Sequence, residues 1–284
     1  MTTFFGENSF AMPAEISDDE LTEIGMILSL HRNCDMSVYK SKYMKRRVAI
    51  RMRAVRCNEA AEYCALLRNC DLELDLLQKT LTIHVSQFFR NPSVFEKLRT
   101  DVMAGLLKAR ENDSPDPLRF WCLGCAAGEE PYSLAILLRL YFGREVRQVP
   151  VSIVGTDVDA ETLKIAQQAE YNEDRLKEVS TELREHFFRQ HGSRYQLIPE
   201  IREMVTFVQG DITSIEQYVK SDLVLCRNTL IYFNRPDQEK ILNGIADILP
   251  NGGILVLGKS ETLVGDARQR FVSVCPVERI YRKL

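Results

Sequence analysis

The sequence predicts an α/β protein with two parts: an all-helical N-terminal segment, then a mostly parallel sheet covered by helices on both faces. Three observations carry that prediction. From Leu118 onward, short apolar runs alternate with helical patterns, as in successive βαβ units. Before about residue 108 the apolar spacing is helical throughout. Between them lies Glu111-Asn112-Asp113-Ser114-Pro115-Asp116-Pro117, polar and proline-bearing, which places a linker at 109–117 between domains 1–108 and 118–284.

In the helical part, Ser17-Asp18-Asp19-Glu20 reads as a capping box ahead of Leu21, Ile24, Ile27 and Leu28. The next helix, about 38–56, carries Lys40, Lys42, Lys45, Arg46, Arg47, Arg51, Arg53 and Arg56 with no acidic residue among them. On a helical wheel Lys42, Lys45, Arg46, Arg53 and Arg56 share an arc of about 100°, and Met44, Val48, Met52 and Val55 share another. One face packs; the other is either a solvated face or a docking surface for something acidic. Helices at about 58–69 and 71–84 follow, the second leading into Thr82–Pro92, where His84 reads as structural.

In the second part, strands are expected at 118–123, 151–156, 205–208, 222–226 and 254–257, with helices at 130–142, from 159, and at 236–249. Residues 171–204 interrupt the rhythm with a short helix, 180–190, and a strand, 195–198, and read as a small inserted subdomain. Phe271–Cys275 and Val277–Tyr281, separated by Pro276, read as an antiparallel hairpin at one edge.

With 45% hydrophobic and 27% charged residues and a net charge of −3, the composition is that of a soluble globular chain and argues against bulk attraction to nucleic acid. The start, MTTFFGENSFAMPAE, has no basic region or long apolar core, and no apolar run reaches the roughly 18 residues of a membrane span, so a cytoplasmic protein without membrane insertion is expected. Eight scattered cysteines suggest neither a disulfide framework nor, in Cys122-x-x-Cys125, a metal site.

The stretch Phe120–Leu138 combines a strand, the small-residue turn Gly124-Cys125-Ala126-Ala127-Gly128, and a helix opened by Glu129-Glu130-Pro131. Such a turn lets a ligand approach the backbone. Two carboxylates in the first helical turn would repel a pyrophosphate, so a ligand with a cationic or hydroxyl-rich portion fits better. Three further strand ends carry polar groups: Asp157, Asp211 and Arg227-Asn228. Each acid could be a turn or helix cap, but together they describe a nucleoside site without a phosphate cradle, Asp157 being placed for ribose hydroxyls and Asp211 for an adenine amino group.

The strings SQFFR (86–90), GEEPYS (128–133), TDVD (156–159), CRNTLIYF (226–233) and NGG (251–253), in this order, resemble the CheR-type chemotaxis receptor methyltransferases. The resemblance runs from about Ser17 to Leu284 and implies a class I, Rossmann-like methyltransferase domain behind the helical one. It implies S-adenosylmethionine as cofactor, with S-adenosylhomocysteine as product, and glutamate side chains on the cytoplasmic helical bundle of chemoreceptors as substrate. Carried over by position, cofactor contacts fall on Ser86, Arg90, Gly124, Ala126, Glu130, Asp157, Asp211, Ile212, Arg227 and Asn228. Arg90 and Tyr232 then flank the transferred methyl as catalytic residues, and the basic arc docks the receptor. The family often has Asn where His84 stands and Thr where Ser86 stands, and Asn also occurs at the Asp211 position in relatives.

A glutamate side chain, with an ordinary pKa near 4.3, is already an anionic nucleophile at neutral pH, so the chemistry needs alignment and desolvation rather than a general base. The lack of a candidate His, Cys or Lys base is consistent with that. Two rival readings are a methyltransferase acting on nucleic acid or another protein, since Asn228–Phe233 is distantly similar to an N-P-P-Y loop, and a non-catalytic S-adenosylmethionine-binding signalling module. In relatives with a C-terminal receptor tether the peptide adds to a strand edge of the insertion. Here Gln190–Arg194 reads as a shortened loop, so no pentapeptide tether is expected.

Overall fold

The computed structural model describes residues 15–32, 34–82, 86–111 and 116–284. The chain divides into two compact units, Met1–Ile83 and His84–Leu284.

The first unit consists of α1 (Asp18–Arg32), α2 (Ser41–Ala54), α3 (Ala60–Asn69) and α4 (Asp71–Leu81). The capping box forms: the Glu20 amide donates to Ser17 Oγ at 3.2 Å and the Ser17 amide to Glu20 Oε2 at 2.8 Å. Ile24, Leu28, Met44, Val48, Met52, Leu67, Leu74 and Leu77 fill the core. The acidic partners that α2 lacks in its own sequence come from other helices. Arg51 pairs with the buried Glu73, which also accepts from Tyr63 at 2.8 Å, and Lys45 reaches Asp18 at 2.9 Å. Lys42, Arg46, Arg53 and Arg56 stay exposed.

The second unit opens with α5 (Pro92–Lys97), which continues through a π-type stretch, Leu98–Met103, into α6 (Ala104–Glu111). Val94, Phe95, Leu98, Val102, Met103 and Leu107 share one core with Leu118, Phe120 and Leu134. The division therefore falls at Ile83/His84 and not at 109–117: apolar burial assigns a helix to a unit more strongly than a proline-bearing loop separates it.

Next come β1 (Leu118–Leu123), α7 (Glu129–Tyr141), β2 (Val151–Asp157), α8 (Ala160–Gln168), β3 (Glu170–Asn172), α9 (Thr181–Phe187), β4 (Phe188–His191), β5 (Arg194–Leu197) and α10 (Pro199–Arg202). They are followed by β6 (Val205–Gln209), β7 (Leu223–Cys226), α11 (Arg235–Ile248), β8 (Ile254–Leu257), α12 (Ala267–Arg270), β9 (Phe271–Cys275) and β10 (Ile280–Lys283). The main sheet runs β6-β2-β1-β7-β8-β10-β9. Its first five strands are parallel, and the closing hairpin pairs antiparallel to β8. The chain leaves β1 toward β2 and β6 and returns at β7 toward β8, so strand order reverses between β1 and β7. A ligand crevice opens at the carboxyl ends on either side of such a point.

The insertion is a three-stranded sheet, β3-β5-β4. The helix expected over 180–190 stops at Phe187, because residues 188–191 pair with β5. Two residues, Gly192 and Ser193, close that hairpin, with Gly192 at φ +61°.

Candidate active site

The turn after β1 is held from below by β2. The Gly124 and Cys125 amides donate to the Thr156 carbonyl at 2.8 and 3.0 Å, and the Ala126 amide to Asp157 Oδ2 at 2.8 Å. Ala126 is left-handed, φ +49°, a conformation a non-glycine residue adopts only when its surroundings impose it. Gly128 (φ +86°) has no such latitude: a Cβ there would sit 2.7 Å from the Phe207 ring and 2.9 Å from Ala166. Asp157 thus builds the turn and also takes the Asp159 amide at 3.1 Å. A carboxylate offers about four acceptor sites, so shaping the turn is compatible with receiving ribose hydroxyls.

The second anchor is Arg227, at the end of β7. Its Nη1 donates to Glu130 Oε2 at 2.7 Å, and its Nη2 to the Arg90 carbonyl at 2.8 Å and Asn91 Oδ1 at 2.9 Å. The guanidinium also lies over the Phe95 ring. With 1% of its side chain exposed, Arg227 is enclosed by these partners. It is a clamp that ties β7, the start of α7 and the segment carrying Arg90 together. That segment is strained on both sides of Arg90, with Phe89 at φ +50° and Asn91 at φ +61°. The Phe89 amide is held by Ser133 Oγ at 2.8 Å and the Phe88 amide by the Arg175 carbonyl at 3.0 Å. Burial raises the Glu130 carboxyl, against the pull of Arg227.

Sequence reasoning missed two of these supports. Arg175, in the insertion, donates to the Ser86 carbonyl and pairs at 3.0 Å with Glu129, which is fully buried and whose carboxyl burial also raises. No spacing rule joins Arg175 to positions nearly fifty and ninety residues upstream. The other, Glu261, lies under the loop after β7. Tyr171 links the insertion to the turn as well, its hydroxyl donating to the Ala127 carbonyl at 2.7 Å.

That loop begins at Asn228 (φ +59°) and forms a single 3-10 turn, Leu230–Tyr232. Its carbonyls at Leu230 and Phe233 accept from Gln238 Nε2 at 2.9 and 3.0 Å. It abuts the first turn so closely that a Cβ on Gly124 would lie 2.6 Å from Thr229 Oγ1. Asp211 is exposed and caps its own turn through the Thr213 amide at 2.8 Å, while the Ile212 carbonyl accepts from Tyr218. The structure thus brings together Arg90, the 124–128 turn, Glu130, Asp157 and Asn228; His84 lies outside the described residues, and the basic arc belongs to the first unit. Cys122 and Cys125 are free and buried, and burial pushes both thiols well above their usual range, which disfavours the thiolate form.

Asn228 Oδ1 is buried and receives no hydrogen bond from the described residues. An orphaned buried acceptor suits a ligand that bears N–H groups, and S-adenosylmethionine, with an ammonium and an adenine amino group, supplies them. The sheet order, with the small-residue turn and carboxylate-bearing helix start after β1, is that of a class I methyltransferase fold.

The chain belongs to the CheR methyltransferase family: the family's S-adenosylmethionine-binding domain matches residues 84–278 and its all-alpha domain residues 19–82. A chemotaxis protein methyltransferase of Listeria innocua is 35% identical over 82% of this chain and 86% of its own length. One of Borreliella burgdorferi is 26% identical over 94% and 96%. An uncharacterized 104.1 kDa protein of Rhodobacter capsulatus is 35% identical over 87% of this chain, which spans 26% of that protein.

Proposed function

We propose that the protein transfers the methyl group of S-adenosylmethionine to glutamate carboxylates on the cytoplasmic helical bundle of chemoreceptors, giving glutamyl methyl esters in chemotaxis adaptation. The observation that carries this reading is the clamped Arg90: a cation on a backbone strained at Phe89 and Asn91 and fixed by Arg227, beside the loop that bears Asn228 and Tyr232. The cofactor, when bound, supplies an electrophilic methyl on a sulfonium. Arg90 orients a carboxylate, Tyr232 aligns donor and acceptor, and closure of the crevice removes water from the nucleophile. Ser86, Gly124, Glu130, Asp157, Asp211, Ile212 and Asn228 hold the cofactor. No proton need be abstracted, since the acceptor is ionised at neutral pH.

Docking rests on the exposed cations Lys42, Arg46 and Arg53 of α2 and Arg56 in the turn after it, with Lys45 in part balanced by Asp18. The two-residue turn at Gly192-Ser193 supports methylation without a C-terminal tether, because it leaves no loop to shape a peptide pocket beside β4. Among the described residues no helix is long and apolar enough to cross a membrane; the proposed substrate, a receptor's cytoplasmic bundle, is what makes the cytoplasm the proposed site of action. Transfer of labelled methyl to receptor cytoplasmic fragments tests the reading: carboxyl esters release their label in mild base, whereas base-stable label would indicate N-methylation.

A further inference from the structure

Glu261 is 4% exposed, and among the described residues no Lys, Arg or His forms an ion pair with it. An isolated buried carboxylate is costly unless donors surround it. Here the donors are all backbone amides. Oε2 accepts from Gly258 at 2.6 Å and Asn228 at 2.9 Å, and Oε1 accepts from Ile231 at 3.3 Å. The amides pull against burial, which raises the carboxyl. Gly258 is needed for this approach, since a Cβ there would lie 2.6 Å from Glu261 Oε2 and 2.8 Å from the Asn228 nitrogen.

These donors are not spread at random. They belong to the end of β8 and to the loop after β7: the left-handed Asn228, and the 3-10 turn of Leu230–Tyr232, whose own N-cap Thr229 makes no side-chain cap. The negative charge therefore caps from outside a turn that lacks a cap of its own. A neutral side chain could fill the space at lower desolvation cost, but it could not accept from three amides at once.

We propose that Glu261 is a positioning residue of the methyl-transfer site, fixing through its two carboxylate oxygens the backbone on which Asn228 and Tyr232 are carried. This rests on the roles assigned above to those two residues. Misplacement of a reacting group by about 1 Å costs on the order of 100-fold in rate. In the full-length protein, Glu261→Gln keeps the shape but turns one acceptor into a donor, and Glu261→Asp keeps the charge on a shorter stem.

The test combines three readouts. Amide hydrogen exchange should accelerate at least about tenfold at Asn228, Ile231 and Gly258 in Glu261→Gln, with β1 and β2 unchanged. Turnover on a receptor fragment should fall about 10- to 100-fold at unchanged KM for the receptor, with Glu261→Asp recovering part of the loss. Combined with Tyr232→Phe, the losses in kcat should be less than multiplicative. Unchanged local exchange, acceleration spread evenly over the sheet, or a strictly multiplicative pair would each overturn the assignment. Should Glu261→Gln fail to fold, Glu261→Asp carries the same three readouts. If the wild type methylates no receptor glutamate, the functional reading fails, while the exchange pattern and the affinity for S-adenosylhomocysteine, expected to weaken through Asn228, still decide the role of Glu261.

Discussion

Replacing Arg227 with Ala should be among the most damaging single changes in the second unit. It deprives Glu130, the Arg90 carbonyl and Asn91 Oδ1 of their donor at once. Breaking a buried pair by removing one partner costs about 3–5 kcal/mol, mostly because the other charge is left uncompensated. In a unit of this size 1 kcal/mol lowers the melting midpoint by about 2–4 °C, so Arg227→Ala should melt roughly 6–20 °C lower. Adding Glu130→Gln removes the stranded charge and should return about 1–3 kcal/mol of that loss. Thermal unfolding followed by circular dichroism measures both variants. A single variant that melts like the wild type but loses affinity for S-adenosylhomocysteine would refute the clamp and return Arg227 to the cofactor.

Three further outcomes are expected. Burial raises the Glu129 carboxyl from its ordinary 4.5, so the folded state holds that proton more tightly; its stabilising contribution is fully present below about pH 4.5 and falls as pH rises through the folded value. Wild type should accordingly lose stability relative to Glu129→Gln as pH rises above about 4.5, and denaturant titrations showing the opposite slope would contradict this. Asp157→Ala should weaken S-adenosylhomocysteine binding by about 1–3 kcal/mol in calorimetry, since it removes the proposed ribose acceptor together with the hold on the Ala126 amide. Arg46→Glu with Arg53→Glu should raise the KM for a receptor fragment and flatten its salt dependence while cofactor affinity stays put, and unchanged receptor kinetics would make α2 a merely solvated face.

The sheet was legible because each strand carries its own signal. LRFWCL, VSIVGTD and LVLC are apolar runs bounded by turns, and their carboxyl ends pointed to Gly124–Gly128, Asp157 and Asn228 directly. Contacts between distant segments were not. Arg227 stands next to Asn228 in sequence, yet its guanidinium reaches Glu130 and the Arg90 backbone and lies over the Phe95 ring, partners about 100 and more residues upstream that no local pattern announces. Glu129 and Glu130, adjacent and chemically identical, part company because one is fully enclosed beside Arg175 and the other faces Arg227. The unit boundary was misplaced because helix periodicity says that Val94 through Leu107 bury a face, but not against which neighbour. Strand β4, Phe-Arg-Gln-His, has almost no strand propensity of its own and exists through its pairing with β5.

The most direct measurement of the central claim is mass-spectrometric mapping of a receptor cytoplasmic fragment after incubation with S-adenosylmethionine and wild type, Arg90→Ala or Tyr232→Phe. Methyl esters should appear on glutamate side chains with the wild type and fall sharply with either variant, while the thermal unfolding of both variants stays close to that of the wild type. Methylation confined to other side chains, or glutamyl esters formed equally well by both variants, would contradict the account.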